Sequence, residues 1–290
     1  MKILKFKNCI LLLVIIFLIN FNTKCYTLNP TGQIAIEQSK LIMISFSIML
    51  IIVIPVILMS IIFAYKYNEK NYNKNNYEPN WNHSNYIESI TWFIPIIIVI
   101  FLSIILWNST HKLDPSISIN SKKKTMDIEV IALDWKWIFL YPKQNIATIN
   151  EIAIPTNVPI HFIITSNSVM NSFFIPKLGS QVYAMAGMKT QLYLISNKSG
   201  IYTGISSNYS GSGFSNMKFK VISCKNIYFF NKWLRKVKHS PNYLDAVNLM
   251  QVSIPSVKHQ VEYFNGCESG LFNNLIKSFH EDKKIIFVSE

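Results

Sequence analysis

Cysteine, histidine and carboxylate side chains hold metals, attack carbonyls and move protons, and this chain places them sparsely. The four cysteines are Cys9, Cys25, Cys224 and Cys267. No two form a Cys-x-x-Cys pair, the spacing that brings two thiolates to one metal or makes a redox couple. Cys224 and Cys267 allow either a disulfide in an oxidising compartment or two half-buried free thiols. His161 is the only histidine within the β-rich stretch and has no partner at a ligand spacing, so it reads as a surface or hydrogen-bonded imidazole. Cys25 follows an apolar run, where a lipoprotein signal carries its acylated cysteine. The preceding Asn22-Thr23-Lys24 departs from the large apolar and then small residues that such a site favours. Glu88 stands at the edge of another apolar run. A carboxylate there is a solvated boundary residue unless a proton path begins at it.

The elements that must position these residues begin with three apolar segments. Half of the 290 residues are hydrophobic and only 15% are charged, which is less charge than a soluble domain carries. Lys2, Lys5 and Lys7 precede an uncharged run from Ile10 to Ile19, and a polar stretch follows. That order describes a signal peptide over residues 1–24; the other reading is an uncleaved signal anchor that adds a span. A short exported segment, 25–40, comes next. Leu41 to Tyr65 is free of charge and exceeds the roughly 20 residues needed to cross a bilayer. Ile90 to Trp107 is also uncharged and carries Trp92 and Trp107 at its ends, where interfacial aromatics belong. The spacing predicts membrane helices over 41–65 and 89–108, joined by a cytoplasmic loop over 66–88 that carries Lys66, Lys70 and Lys74. Everything after the second helix is then exported.

From Met126 the pattern becomes β-rich. Ile128, Val130 and Ala132 alternate with Glu129, Ile131 and Leu133, and apolar runs follow at 138–141, 149–154, 160–165, 191–195 and 217–222. Pro155, Pro159, Gly179, Gly187, Gly200 and Gly204 punctuate them, which predicts a β-sandwich over 125–223. Beyond it, Phe229, Phe230, Trp233, Leu234 and Val237 recur at helical spacing. Ser240-Pro241-Asn242 breaks the pattern, and Leu271, Leu275 and Phe279 mark a second helix. Residues 224–290 are therefore expected to be a helical region. The net charge of +13 comes from lysines scattered singly, with Lys122-Lys123-Lys124 as the tightest group. No aromatic RNA-binding signature accompanies them, so no nucleic-acid partner is expected.

Several phrases carry a family likeness. Asp134-Trp135-Lys136-Trp137, Asn150-Glu151-Ile152, Ser168 through Pro176, Ala184 through Met188 and Tyr209-Ser210-Gly211 are joined by Pro79-Asn80-Trp81 and Glu88 through Pro95 in the hairpin. From about Pro30 to Phe272 the chain resembles subunit II of haem-copper terminal oxidases, and within them the cytochrome bo-type ubiquinol oxidases. The resemblance implies an α+β membrane protein: a two-helix transmembrane hairpin, a periplasmic cupredoxin-like β-sandwich and C-terminal helices. It also implies a bacterial inner-membrane location, contact with membrane lipids, and partners in the form of a haem-copper catalytic subunit I and smaller membrane subunits. The complex would pass electrons from ubiquinol to oxygen and translocate protons, with haem and copper in the partner subunit.

Relatives that oxidise cytochrome c hold two copper ions in this sandwich through two thiolates four residues apart, two imidazoles and a thioether. The resemblance puts the thiolate positions at Ser206 and Ser210, with Asn208 at the carboxylate-bearing position between them. The imidazole positions are Asn171 and Phe214, and the thioether is Met217. Only Met217 suits copper, so this chain is expected to bind no metal and carry no cofactor of its own. The family match gives Glu88 a role at the entry of a proton path and Trp135 a packing role at the subunit interface. Two other readings remain. A copper-bearing cytochrome c oxidase subunit requires Cys at 206 and 210. A membrane-tethered periplasmic binding lipoprotein requires no haem-bearing partner.

Overall fold

The computed structural model describes residues 29–67, 82–121 and 123–280. The expected signal peptide, Cys25 and most of the loop over 66–88 lie outside the described residues. The chain divides into two compact units, residues 1–39 with 115–290, and residues 40–114.

The second unit holds the apolar helices. Helix α1 spans Gln33–Lys66 and starts upstream of the uncharged run, so its first turns belong to the other unit. Helix α2 spans Asn85–Lys112. Both exceed the length of a bilayer core, and both contain an internal proline, Pro55 and Pro95. Serines within the apolar runs satisfy themselves locally. The Ser47, Ser60 and Ser103 hydroxyls each donate to the carbonyl one turn back, at 2.8 Å, which removes the cost of placing a bare hydroxyl in hydrocarbon.

The other unit is built on two sheets. One has six strands in the order β12-β3-β2-β1-β5-β8: Glu262–Phe264, Ile146–Ile149, Lys136–Tyr141, Met126–Leu133, Pro159–Ser166 and Thr190–Ile195. The other has five, β4-β10-β9-β6-β7: Glu151–Pro155, Lys218–Cys224, Gly200–Ser206, Asn171–Phe174 and Gln181–Ala184. The β1–β5 and β4–β10 pairs are parallel, and the remaining pairs are antiparallel. Trp137, Phe139, Phe162, Phe173 and Phe219 fill the space between the sheets; Phe173 and Phe219 stack with centroids 5.1 Å apart. The Phe219 ring lies flat over Gly204, where an added Cβ would come within 2.0 Å of it.

All six residues of β2 are buried. The reason is a second core on the outer face of the six-stranded sheet. Ile131, Leu133, Ile138 and Leu140 pack there against Leu244, Leu249, Phe264, Leu271, Phe272 and Leu275. A strand buried on both faces reads as a continuous apolar run rather than an alternation. The C-terminal region that covers it contains α3 (Ile227–Lys238), α4 (Ala246–Ser253) and α5 (Leu271–His280). It is not wholly helical: β12 extends the larger sheet, and β11 (Tyr243–Leu244) pairs with β13 (Gly266–Cys267). Strands of two or three residues are too short to leave a period in the sequence.

Candidate functional site

The residues at the expected copper-ligand positions converge at one end of the sandwich. Asn171 opens β6 and is fully buried; Ser206 closes β9 beside it. The Ser206 hydroxyl is shared between Asn171 Oδ1 at 3.2 Å and the Asn208 carbonyl at 3.4 Å. Asn171 Nδ2 donates to the Val169 carbonyl at 3.1 Å, and Asn208 Nδ2 donates to the Met170 carbonyl at 3.1 Å. The Ser206 amide donates to the carbonyl of Met217, whose side chain is buried. Phe214 opens a short 3₁₀ turn (Phe214–Asn216) and packs its ring 5.8 Å from that of Tyr209. The Ser210 hydroxyl is buried without a hydrogen-bond partner among the described residues.

Trp135 holds the far side of the same loop. It sits at φ 64°, in the turn between β1 and β2, and its indole Nε1 donates to the Ser210 carbonyl at 2.9 Å. A Cβ on Gly213 would lie 2.2 Å from the indole, so only glycine lets the loop close over this ring. The tryptophan therefore has an intramolecular task, pinning loop 207–213, in addition to the interface role the sequence suggests. The neighbouring Lys136 is buried; its Nζ donates to the Ile254 carbonyl at 2.8 Å and to Ser256 Oγ at 2.7 Å, tying the end of α4 to the same turn.

These residues do not fit a dinuclear copper centre. At the positions where the resemblance would put imidazoles and thiolates stand an amide, a phenyl ring and two neutral hydroxyls, and hard or absent donors do not compete for copper. What the arrangement does instead is structural: neutral hydrogen bonds close the cup and fix the loop. Among the described residues, no three histidines, cysteines or carboxylates converge on one point.

The remaining candidates lie elsewhere. Glu88 is in the first turn of α2, exposed, with His83 Nε2 at 3.1 Å from Oε2. His83 was not marked by the sequence; it lies outside the helix and leaves no periodic signal. His161 Nδ1 is 3.3 Å from Asp127 Oδ1, and its ring stacks on Tyr193 at 4.3 Å, a hydrogen-bonded surface imidazole as the sequence suggests. Cys224 and Cys267 are both free thiols, the first buried at the end of β10 and the second in β13. Burial pushes both thiols up. The sequence also missed Glu151, a buried carboxylate that receives Trp233 Nε1 at 2.9 Å and the Tyr263 hydroxyl at 2.7 Å, with Lys220 Nζ at 3.2 Å.

Comparison with known proteins gives these features a family. The model of the periplasmic domain of cytochrome c oxidase subunit II matches residues 143–224. The chain is 50% identical over 280 residues to cytochrome bo(3) ubiquinol oxidase subunit 2 of Buchnera aphidicola subsp. Baizongia pistaciae, covering 95% of this chain and 97% of that one. It is 46% identical over 258 residues to the protein of the same name in Pseudomonas aeruginosa, covering 88% and 77%. It is 46% identical over 255 residues to ubiquinol oxidase subunit 2 of Acetobacter aceti, covering 87% and 82%. With half its residues shared along almost the entire length of such a relative, the chain belongs to the ubiquinol oxidase subunit 2 family.

Proposed function

We propose that this chain is the non-catalytic subunit II of a ubiquinol oxidase, and that electrons pass from ubiquinol to oxygen through its haem-copper partner without crossing this sandwich. The observation that carries the reading is the loop from Ser206 to Met217. It keeps the spacing of a copper loop, yet its side chains are neutral, and Ser206 and Asn208 are held by Asn171 and by backbone carbonyls. Near-full-length similarity to oxidase subunits does not favour the alternative of a membrane-tethered binding lipoprotein. In this reading α1 and α2 lie in the bacterial inner membrane, the sandwich stands in the periplasm, and Cys25 is the lipid-attachment site. Trp135 packs toward the haem-bearing subunit while it pins the loop. The partners are subunit I, which holds haem and copper, and smaller membrane subunits.

The deciding measurement is oxygen uptake by the complex purified through a tag on this chain. Reduced ubiquinone is expected to support turnover and reduced cytochrome c to support none. Uptake with cytochrome c would mean that electrons cross the sandwich, and the reading fails.

Glu88 is proposed to load a proton-uptake path, with His83 as its hydrogen-bonded neighbour. Proton transfer through a positioned group contributes about 100-fold or more where no other donor replaces it. Glu88→Ala is expected to slow ubiquinol-driven oxygen uptake and lower the protons released per oxygen, with Glu88→Asp restoring part of both. Unchanged turnover and pumping in Glu88→Ala would remove it from the path.

A further inference from the structure

We propose that the exposed face of α3 is a docking surface for anionic phospholipid headgroups. The helix buries Phe230, Trp233 and Val237 against the sandwich, which fixes its rotation. Its outward face then carries Lys232, Arg235, Lys236 and Lys238, with Lys225 just ahead of it, and the helix has no acidic residue. Lys236 is engaged with the Tyr263 ring at 5.0 Å. Lys225, Lys232, Arg235 and Lys238 make no ion pair among the described residues. Cations on a rigid face without counter-charges of their own favour an anionic surface.

The first turn of α3 adds an apolar component. Ile227, Tyr228 and Phe229 are 57%, 61% and 47% exposed, three consecutive large side chains that a soluble surface rarely leaves together. Aromatic rings beside lysines are the composition that settles at headgroup level.

The start of α3 is linked through hydrogen bonds to the segment that leads into α1. Gly32, just ahead of α1, pairs with Ser196, and the Asn197 amide donates to the Thr31 carbonyl at 2.9 Å. The Asn157 amide donates to the Ser196 carbonyl at 2.8 Å. The adjacent Thr156 is bonded through its amide to the Cys224 carbonyl and through its hydroxyl to that of Lys225, both at 2.9 Å. Asn226 then caps α3. The start of α3 and the point where the chain departs toward its membrane-length apolar run thus share one end of the sandwich. In the membrane-anchored reading the same chain is tethered to a bilayer, and Leu41, where the apolar run begins, follows Gly32 by nine residues.

The inference rests on the membrane-anchored reading but not on the electron donor, so ubiquinol-driven oxygen uptake serves as a control for folding and assembly. The experiment is amide hydrogen exchange of the assembled complex in vesicles of phosphatidylcholine alone or phosphatidylcholine with phosphatidylglycerol. The first-turn amides of a helix lack intrahelical acceptors and report directly on what covers them. Exchange at residues 225–229 is expected to slow by about an order of magnitude when phosphatidylglycerol is present. The slowing should disappear in the Lys232→Glu/Arg235→Glu variant, with oxygen uptake retained. Equal exchange in the two lipids would overturn the proposal. Equal protection in both lipids that survives the charge reversal would assign the face to a protein partner and overturn it equally.

Discussion

Glu151→Ala is expected to destabilise the sandwich domain more than any other single polar substitution, by about 3–5 kcal/mol. The carboxylate is buried at the seam where β4, β10, α3 and β12 meet. It joins residues far apart in the chain: Trp233 on α3, Tyr263 on β12 and Lys220 on β10. Alanine leaves the buried Trp233 indole and the half-buried Tyr263 hydroxyl without their acceptor; a stranded buried donor costs about 1–3 kcal/mol, and the tyrosine loses less. Lys220 reaches water and loses less. Thermal unfolding of the full chain should show a midpoint about 10 °C lower, since each kcal/mol shifts a domain of this size by about 2–4 °C. Glu151→Gln keeps the volume and one acceptor oxygen and should lose less. The pH dependence gives a second reading. Burial pushes the carboxyl up, but the hydrogen bonds from Trp233, Tyr263 and Lys220 outweigh it and hold the group below the ordinary glutamate value. The same contact pushes the Tyr263 phenol well above its usual range, after burial. A carboxyl depressed in the folded state contributes stability above its unfolded pKa and loses it as pH falls through the folded one. The wild-type protein should therefore weaken as acid is added in that window, and Glu151→Gln should weaken less steeply. An unfolding midpoint in Glu151→Ala within a degree of wild type would show that the seam does not depend on this group.

The same residue shows where sequence reading stops. The run from Lys136 to Tyr141 is legible as a strand because both of its faces are buried. The membrane helices are legible because a charge-free run of that length has few other uses. The strands at Asn171–Phe174, Gln181–Ala184 and Gly200–Ser206 are not. Two glycines fall in the third, the second buries only one of its four residues, and the first is only four residues long. Helix α4 is hidden for another reason: Val247 and Met250 are exposed apolar residues, so its period does not separate inside from outside. Within the site, the phrases of family likeness give the loop positions and the ligand role implied for them. They do not give the bond from Ser206 to Asn171, the Trp135 indole bond to Ser210, or the Glu151 cluster, because those partners lie 35 to 112 residues apart. Gly213 goes unmarked in the sequence as well, because its need for a bare backbone comes from Trp135, 78 residues away.

Restoring the missing donors should restore copper. If the loop from Ser206 to Met217 keeps its old geometry and has lost only its ligand chemistry, then Asn171→His, Ser206→Cys, Ser210→Cys and Phe214→His together should take up about two copper ions per chain, with thiolate-to-copper absorption in the visible. The local structure tolerates these changes unequally. Ser210→Cys breaks no hydrogen bond to the described residues, because that hydroxyl has no partner among them. Ser206→Cys gives up the bond to Asn171, but Asn171→His removes the acceptor at the same time. Phe214→His loses an aromatic contact with Tyr209 at a half-exposed position, where the cost is small. Met217 is already buried in place, and the glycine at 213 keeps the loop closed over Trp135. The double variant Ser206→Cys/Ser210→Cys should bind copper more weakly, since two thiolates without imidazoles leave the coordination incomplete. A fourfold variant that keeps the wild-type unfolding midpoint yet takes up no copper would show that the loop has moved as well as mutated. The neutral cup would then be a rebuilt structure rather than an emptied one, and the assignment of Asn171, Ser206, Ser210 and Phe214 to ligand positions would be wrong.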